Sequence, residues 1–305
     1  MNPIRTLEGS ERRKLAGIGV VLISAMLIGL APNAAKVAYL EGANPLAVIT
    51  FRTVIGALVI ALYLSARQQW PEGGLRPFQR SAIAGMAQVL TALGFLGAVA
   101  YIDVSLAALI FYFHPFLVAI VGHFRGDMEM SALRLAYLGA AVCGLSLVFG
   151  VTYTTISTVG LGLSVLGMIA ITVLIFTVAD VSKAVGPIPA NFYLTLWSSI
   201  YLLVVAVSGP LGGWVDEVAL PVSLTGWIAL VGAGVTTTTG YVLFFVAARM
   251  IGTTRASIWS ITEPVLAILL AILLVNEWLT PLQWLGVAIV IGSLIRFESV
   301  AERNG

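Results

Sequence analysis

Long apolar runs separated by short polar connections organise the whole chain. Runs of about 17 to 25 apolar residues have the length of a helix that crosses a bilayer. They fall at 15–34, 45–65, 81–101, 105–124, 132–150, 158–180, 190–208, 222–248, 254–274 and 281–296. The pattern predicts an all-α integral membrane protein with ten transmembrane helices. Between the third and fourth runs only Ile102, Asp103 and Val104 intervene. The longest connections, Ala66 to Arg80 and Gly209 to Pro221, read as polar turns containing Gly and Pro, which leaves no room for a soluble domain. No small-residue cleavage site closes the first run, so it reads as a helix and not as a removable signal peptide.

The runs repeat. I-D-V-S-L-A-A-L-I-F-Y-F-H-P at 102–115 aligns with I-G-T-T-R-A-S-I-W-S-I-T-E-P at 251–264, each copy ending in a titratable residue and a proline. At an offset near 147, Asn33 and Lys36 fall on Asp180 and Lys183, and at 144, Gly42 and Pro45 fall on Gly186 and Pro189. At 148 to 149, Ala98 falls on Ala247, Pro115 on Pro264 and Glu129 on Glu277. The chain therefore divides into an N-terminal five-helix repeat, 1–150, and a C-terminal one, 151–305. Five is odd, so the second copy enters the membrane inverted. Inverted repeats of this kind let two packings of the same halves open a central site to either side in turn.

Composition agrees with a lipid solvent: 59% of residues are hydrophobic and 10% charged, and the mean hydropathy is +1.02. A net charge of +2 gives no footing for nucleic acid. The position of the basic residues matters more than their sum. With a cytoplasmic N-terminus, fourteen of the sixteen Lys and Arg fall on the inner side, while the outer loops around Asp216-Glu217 and Glu277 are acidic or neutral. Both termini are thereby expected in the cytoplasm of a cell, with the chain in the cell membrane, for a bacterium the inner one. The single cysteine, Cys143, allows no intrachain disulfide and reads as a small residue packed in a helix.

Glu263 lies about nine residues into its helix, roughly 14 Å at helical rise and near the midplane, where a carboxylate must face a watery cavity, a partner or a proton. His114 sits at matching depth and is the other proton-binding candidate there. An equal reading has it bonded to a backbone carbonyl freed by Pro115. Pro115 and Pro264 each remove an N–H and expose carbonyls, either to bind a ligand or simply to kink the helix for packing. Gln88, Phe111, Tyr241 and Trp259 are cavity candidates by helix, although aromatic residues on membrane helices more often pack or anchor. Asn33 with Lys36, and Asp180 with Lys183, are i,i+3 polar sets at equivalent helix ends that suit a gate or a headgroup contact. Arg52, about 10 Å inside the second helix, reaches either a substrate or the outer interface. The Thr run from Thr236 is expected to bond its own helix or a neighbour.

Enzyme chemistry is poorly supplied. H-E-x-x-H and G-x-S-x-G are absent, and two histidines, His114 and His123, leave no basis for a multi-His metal site, so neither metal nor cofactor is expected. A channel is the stronger rival to a carrier, but it needs a continuous polar path.

The run L-V-N-E-W-L-T-P-L-Q-W-L-G-V-A-I-V-I-G-S-L-I (Leu274 to Ile295), the Glu263-Pro264 pair, Lys36 ending the first helix, and Asn44-Pro45 followed by Phe51-Arg52 resemble the drug/metabolite transporter superfamily. Within it the chain is most similar to the ten-helix EamA-type exporters, and among those to the aromatic amino acid exporter group. The resemblance covers essentially the whole chain, with the C-terminal half the better match. His114 in place of a second Glu, and one extra residue around Gly126 to Glu129, depart from the pattern of two equal halves. The resemblance implies a central cavity lined by the first, third and fourth helices of each repeat, and a secondary transporter that exports small metabolites. Amino acids, including aromatic ones, are the implied substrate; a proton is the candidate coupling ion from Glu263 and His114, and monomer and dimer both stay open. Drugs or nucleosides are the alternative cargo within the same superfamily.

Overall fold

The computed structural model describes residues 3–71, 74–99, 101–102, 104–150, 157–213, 217–266, 269 and 280–303. The helices are α1 (Pro3–Leu40), α2 (Pro45–Arg67), α3 (Leu75–Val99), α4 (Val104–Phe111), α5 (His114–Phe124) and α6 (Ala132–Phe149). They continue as α7 (Thr158–Val185), α8 (Pro187–Gly212), α9 (Leu224–Ile251), α10 (Thr253–Trp259) and α11 (Pro281–Arg303), with residues 262–266 helical as well. Among the described residues there is no strand, and eight helical stretches are long and apolar enough to cross a membrane, one of them Leu106–Phe124, which joins α4 and α5. α3 adds a helix of 25 residues, and the run at 254–274 lies partly outside the described residues.

Local chemistry starts these helices where polar residues interrupt the apolar pattern. The side chains of Asn44, Ser131 and Ser223 accept from the backbone N–H of Ala47, Arg134 and Gly226, satisfying donors that the first helical turn leaves free. Proline in the first turn of α2 and α8 costs no hydrogen bond. Leu58, Leu62, Ile83, Val204, Val207 and Ile228 are exposed, an outward apolar surface that water would not tolerate and lipid does.

Four expectations change. α1 begins at Pro3 and α3 at Leu75, so Arg12, Arg13, Arg76 and Arg80 sit on helices that extend past the apolar core, and the connection after α2 is short. α8 runs to Gly212 with Pro210 inside it. Cys143 is exposed on α6 instead of packed, because it occupies the lipid side of that helix. The fourth and ninth runs, expected as continuous helices, are each broken in the middle.

α1 packs along α9, α3 along α7, α6 along α11, and α2 along α8; α2 also meets α9, and α3 meets α8. With no hydrophobic gain available between helices in lipid, close approach depends on small residues. A Cβ on Gly94 would stand 2.7 Å from the backbone N of Gly167, and one on Gly144 would stand 2.9 Å from the Gly286 carbonyl. These contacts need glycine for space. At one face of the bundle Lys14 Nζ lies 2.6 Å from Glu298 Oε1, which brings the first and last helices together near the two chain ends. Helix alternation places Arg67, Arg76, Arg125, Lys183 and Arg249 toward this terminal face and Glu41 and Glu217 toward the opposite one. There the turn after α1 is bonded to the segment before α9, Asn44 N to Ala219 O at 3.1 Å and Val222 N to Glu41 O at 2.9 Å.

Candidate functional site

The two breaks have a common cause. Pro115 carries no N–H, so the Phe111 carbonyl four residues earlier loses its helical donor, and the chain turns through Tyr112 and Phe113 between α4 and α5. His114 Nδ1 lies 3.0 Å from that freed carbonyl oxygen. Buried and packed 5.4 Å from the Phe111 ring, His114 thus stabilises the break from within. Pro264 acts likewise on the Ser260 carbonyl. Glu263 N–H bonds it at 2.9 Å in a tightened turn, and the Thr262 hydroxyl donates to the Trp259 carbonyl at 2.7 Å.

The breaks face one another. Tyr112 Oη, from the first, donates to Glu263 Oε1, from the second, at 2.8 Å. Both side chains are partly buried. Tyr241 on α9 is also partly buried and stacks on Phe245 with ring centroids 6.4 Å apart. Among the described residues Tyr112 is the hydrogen-bond partner of Glu263, and no Lys or Arg neutralises that carboxyl. A lone carboxyl at membrane depth is a candidate functional group, for which a proton or a cation is the natural counterpart.

The structure gathers the other candidates unequally. Phe111 packs between Phe95 and Tyr112 beside the break, with centroids 5.3 and 5.6 Å away. Gln88 Oε1 accepts from Ser198 Oγ at 2.6 Å, linking α3 to α8. Trp259 points its Nε1 to Glu298 Oε2 at 3.4 Å. Arg52 is partly buried and has no hydrogen bond or ion pair among the described residues. Asp180 and Lys183 do meet, at 3.3 Å, while Asn33 and Lys36 lie on α1 with side chains outside what is described. Glu277, Asp216 and Asp103 are also outside the described residues. Thr236 bonds its own helix, at the Gly232 carbonyl, 2.8 Å away. Tyr112 and Glu298 were not singled out by the sequence. Tyr112 had a signal in its place two residues before His114, in a break equivalent to that before Glu263; Glu298 had none.

A groove of about 440 Å³ between α3 and α7, lined by Ile83, Met86, Leu166, Ile169 and Val173, is apolar and contains none of the candidate polar residues. It faces the lipid side of the bundle.

The EamA-like transporter family matches this chain twice, over residues 15–150 and 158–297. The chain belongs to the EamA-like transporter family. It is accordingly a multi-pass membrane transporter of the drug/metabolite superfamily, from a family of transporters and not of enzymes. A solved crystal structure, titled only as that of a protein, has a TM-score of 0.77 at 15% identity over 95% of this chain and 99% of the other, a likeness of fold alone. No curated protein matches the chain. For an EamA-like transporter, the facing breaks and their Tyr112–Glu263 bond are the candidate substrate site.

Proposed function

We propose that this EamA-like transporter is a secondary exporter of neutral amino acids, aromatic ones included, working by alternating access around Tyr112 and Glu263. The observation that carries the reading is the hydrogen bond joining two broken helices at a partly accessible, uncompensated carboxyl. Glu263 takes the substrate ammonium or a coupling proton, and Arg52 offers a cation for a carboxylate. Phe111, Tyr112 and Tyr241 give an aromatic wall that discriminates weakly among side chains, since one methylene in an apolar pocket is worth about 1 to 3 kcal/mol.

The architecture proposed is ten helices in two inverted repeats, 1–150 and 151–305. Two matches to one family support it, as do two equivalent breaks. The contacts support it too: exchanging each helix for its counterpart turns α1 against α9 into α7 against α3, and α2 against α9 into α8 against α3. Concentration of Arg and Lys toward the terminal face supports a cytoplasmic location for both ends, in the cell membrane.

Proteoliposomes should show saturable counterflow of labelled phenylalanine, competed by threonine and methionine. Counterflow absent with all three, in folded protein, overturns the amino acid assignment. Flux without counterflow or saturation replaces the carrier with a channel.

A further inference from the structure

Two charge clusters occupy the terminal face. In the first, Asp180 near the end of α7 accepts from Arg125 Nη2 at 2.8 and 2.9 Å and from Lys183 Nζ at 3.3 Å. The Arg125 guanidinium also covers the Phe176 ring, 4.8 Å from its centroid. Arg125 ends α5, so this cluster ties the terminal-side half of the first broken span to α7. In the second, Glu298 on α11 is 8% exposed and pairs with Lys14 Nζ of α1 at 2.6 Å and Arg255 Nε of α10 at 3.2 Å. Trp259 Nε1, also on α10, reaches its other oxygen. This cluster ties the terminal-side half of the second broken span to α1 and α11. The two gripped halves also touch: a Cβ on Gly122 of α5 would collide with the Thr254 side chain of α10.

On the opposite face the counterparts of five of these six charged positions carry no charge, Lys36 standing opposite Lys183 being the exception. At offsets of 147 to 149, Asp180 corresponds to Asn33, Arg125 to Leu274, Lys14 to Leu161, Arg255 to Leu106 and Glu298 to Phe149. At these counterpart positions neutral side chains cannot form the same ion pairs, so parting helices there breaks no equivalent pair. Parting them on the terminal face separates ion pairs, and a partly buried charge stripped of its partner is strongly disfavoured. We infer that the two clusters are charge latches holding the terminal face shut, so that opening toward the chain ends is the strongly opposed half of the transport cycle. This rests on the alternating-access reading but not on the identity of the substrate.

The test uses the full chain with Cys143→Ser and one reporter cysteine, labelled by a maleimide without substrate. Ser257→Cys, fully buried on α10, reports the terminal side, and Leu106→Cys, buried on α4, reports the opposite side. Glu298→Gln or Asp180→Asn should speed labelling of the first reporter on the order of tenfold, a change of about 1.4 kcal/mol, and slow that of the second. Misfolding would speed both, so the reciprocal change keeps the result specific. Exchanging the pair, Arg125→Asp with Asp180→Arg, should restore slow labelling where either change alone does not. Unchanged labelling in both single variants, or an exchange no better than its parts, overturns the latches. Working counterflow with unchanged labelling removes the latches alone; failed counterflow with reciprocal labelling removes the substrate assignment alone.

Discussion

Tyr112 Oη and Glu263 Oε1 are 2.8 Å apart although 151 residues separate them, and each stands at the break of its own helix. That bond makes the two breaks one site. A carboxyl at this depth is stable only while something satisfies it, and here the satisfying group is a neutral phenol; the proposed function has a substrate ammonium or a proton take its place. The same breaks free backbone carbonyls, but His114 and the tightened turn before Pro264 already occupy two of them.

Tyr112→Phe removes a hydrogen bond worth about 1 to 2 kcal/mol, so transport should fall on the order of tenfold with the fold intact. Glu263→Gln keeps an acceptor for Tyr112 but cannot ionise. Its flux should be lower and nearly independent of pH, measured in vesicles across the range in which the wild type varies. An unaltered pH profile returns Glu263 to a structural role.

His114 should behave as a structural group. Its Nδ1 serves the Phe111 carbonyl, so His114→Leu leaves a buried acceptor without its partner and should cost about 1 to 3 kcal/mol, seen as a lower unfolding temperature in detergent. His114→Asn, which keeps a donor, should recover most of that loss. A change in the pH profile of transport with no change in stability contradicts this assignment.

Gly94→Ala should destabilise the bundle by about 1 to 3 kcal/mol, because the added methyl meets the backbone of Gly167 and neither helix can yield without separating α3 from α7. Gly139→Ala, where nothing lies within 4 Å, is the control and should be neutral or slightly stabilising. Thermal unfolding of the two variants side by side checks it.

Cysteines placed at Ser10 and at Arg303 should both label only from the cytoplasmic side, and one at Glu217 only from outside. Labelling of Ser10 and Arg303 from opposite sides would falsify the proposed topology.

Much of this protein was legible in its sequence because membrane solvation is a one-dimensional constraint. A span must be apolar over a fixed length and must satisfy its own backbone, so the runs, their polar interruptions and the placement of Lys and Arg can be read from the chain. The Pro115 and Pro264 breaks were signalled for the same reason, since a missing N–H is a local fact. The pair Asp180 and Lys183 was visible as an i,i+3 spacing. Its stronger partner, Arg125, was not, because which helix end meets which is decided by packing across the bundle. Tyr112 against Glu263, Ser198 against Gln88, and Glu298 against Lys14, Arg255 and Trp259 are all contacts between distant segments. Glu263, Gln88 and Trp259 stood out in the sequence, but their partners Tyr112, Ser198 and Glu298 each looked like one more polar residue on an apolar helix. Only the tertiary arrangement, set by close contacts such as Gly94 on Gly167, brings these side chains within hydrogen-bonding distance and gives them a role.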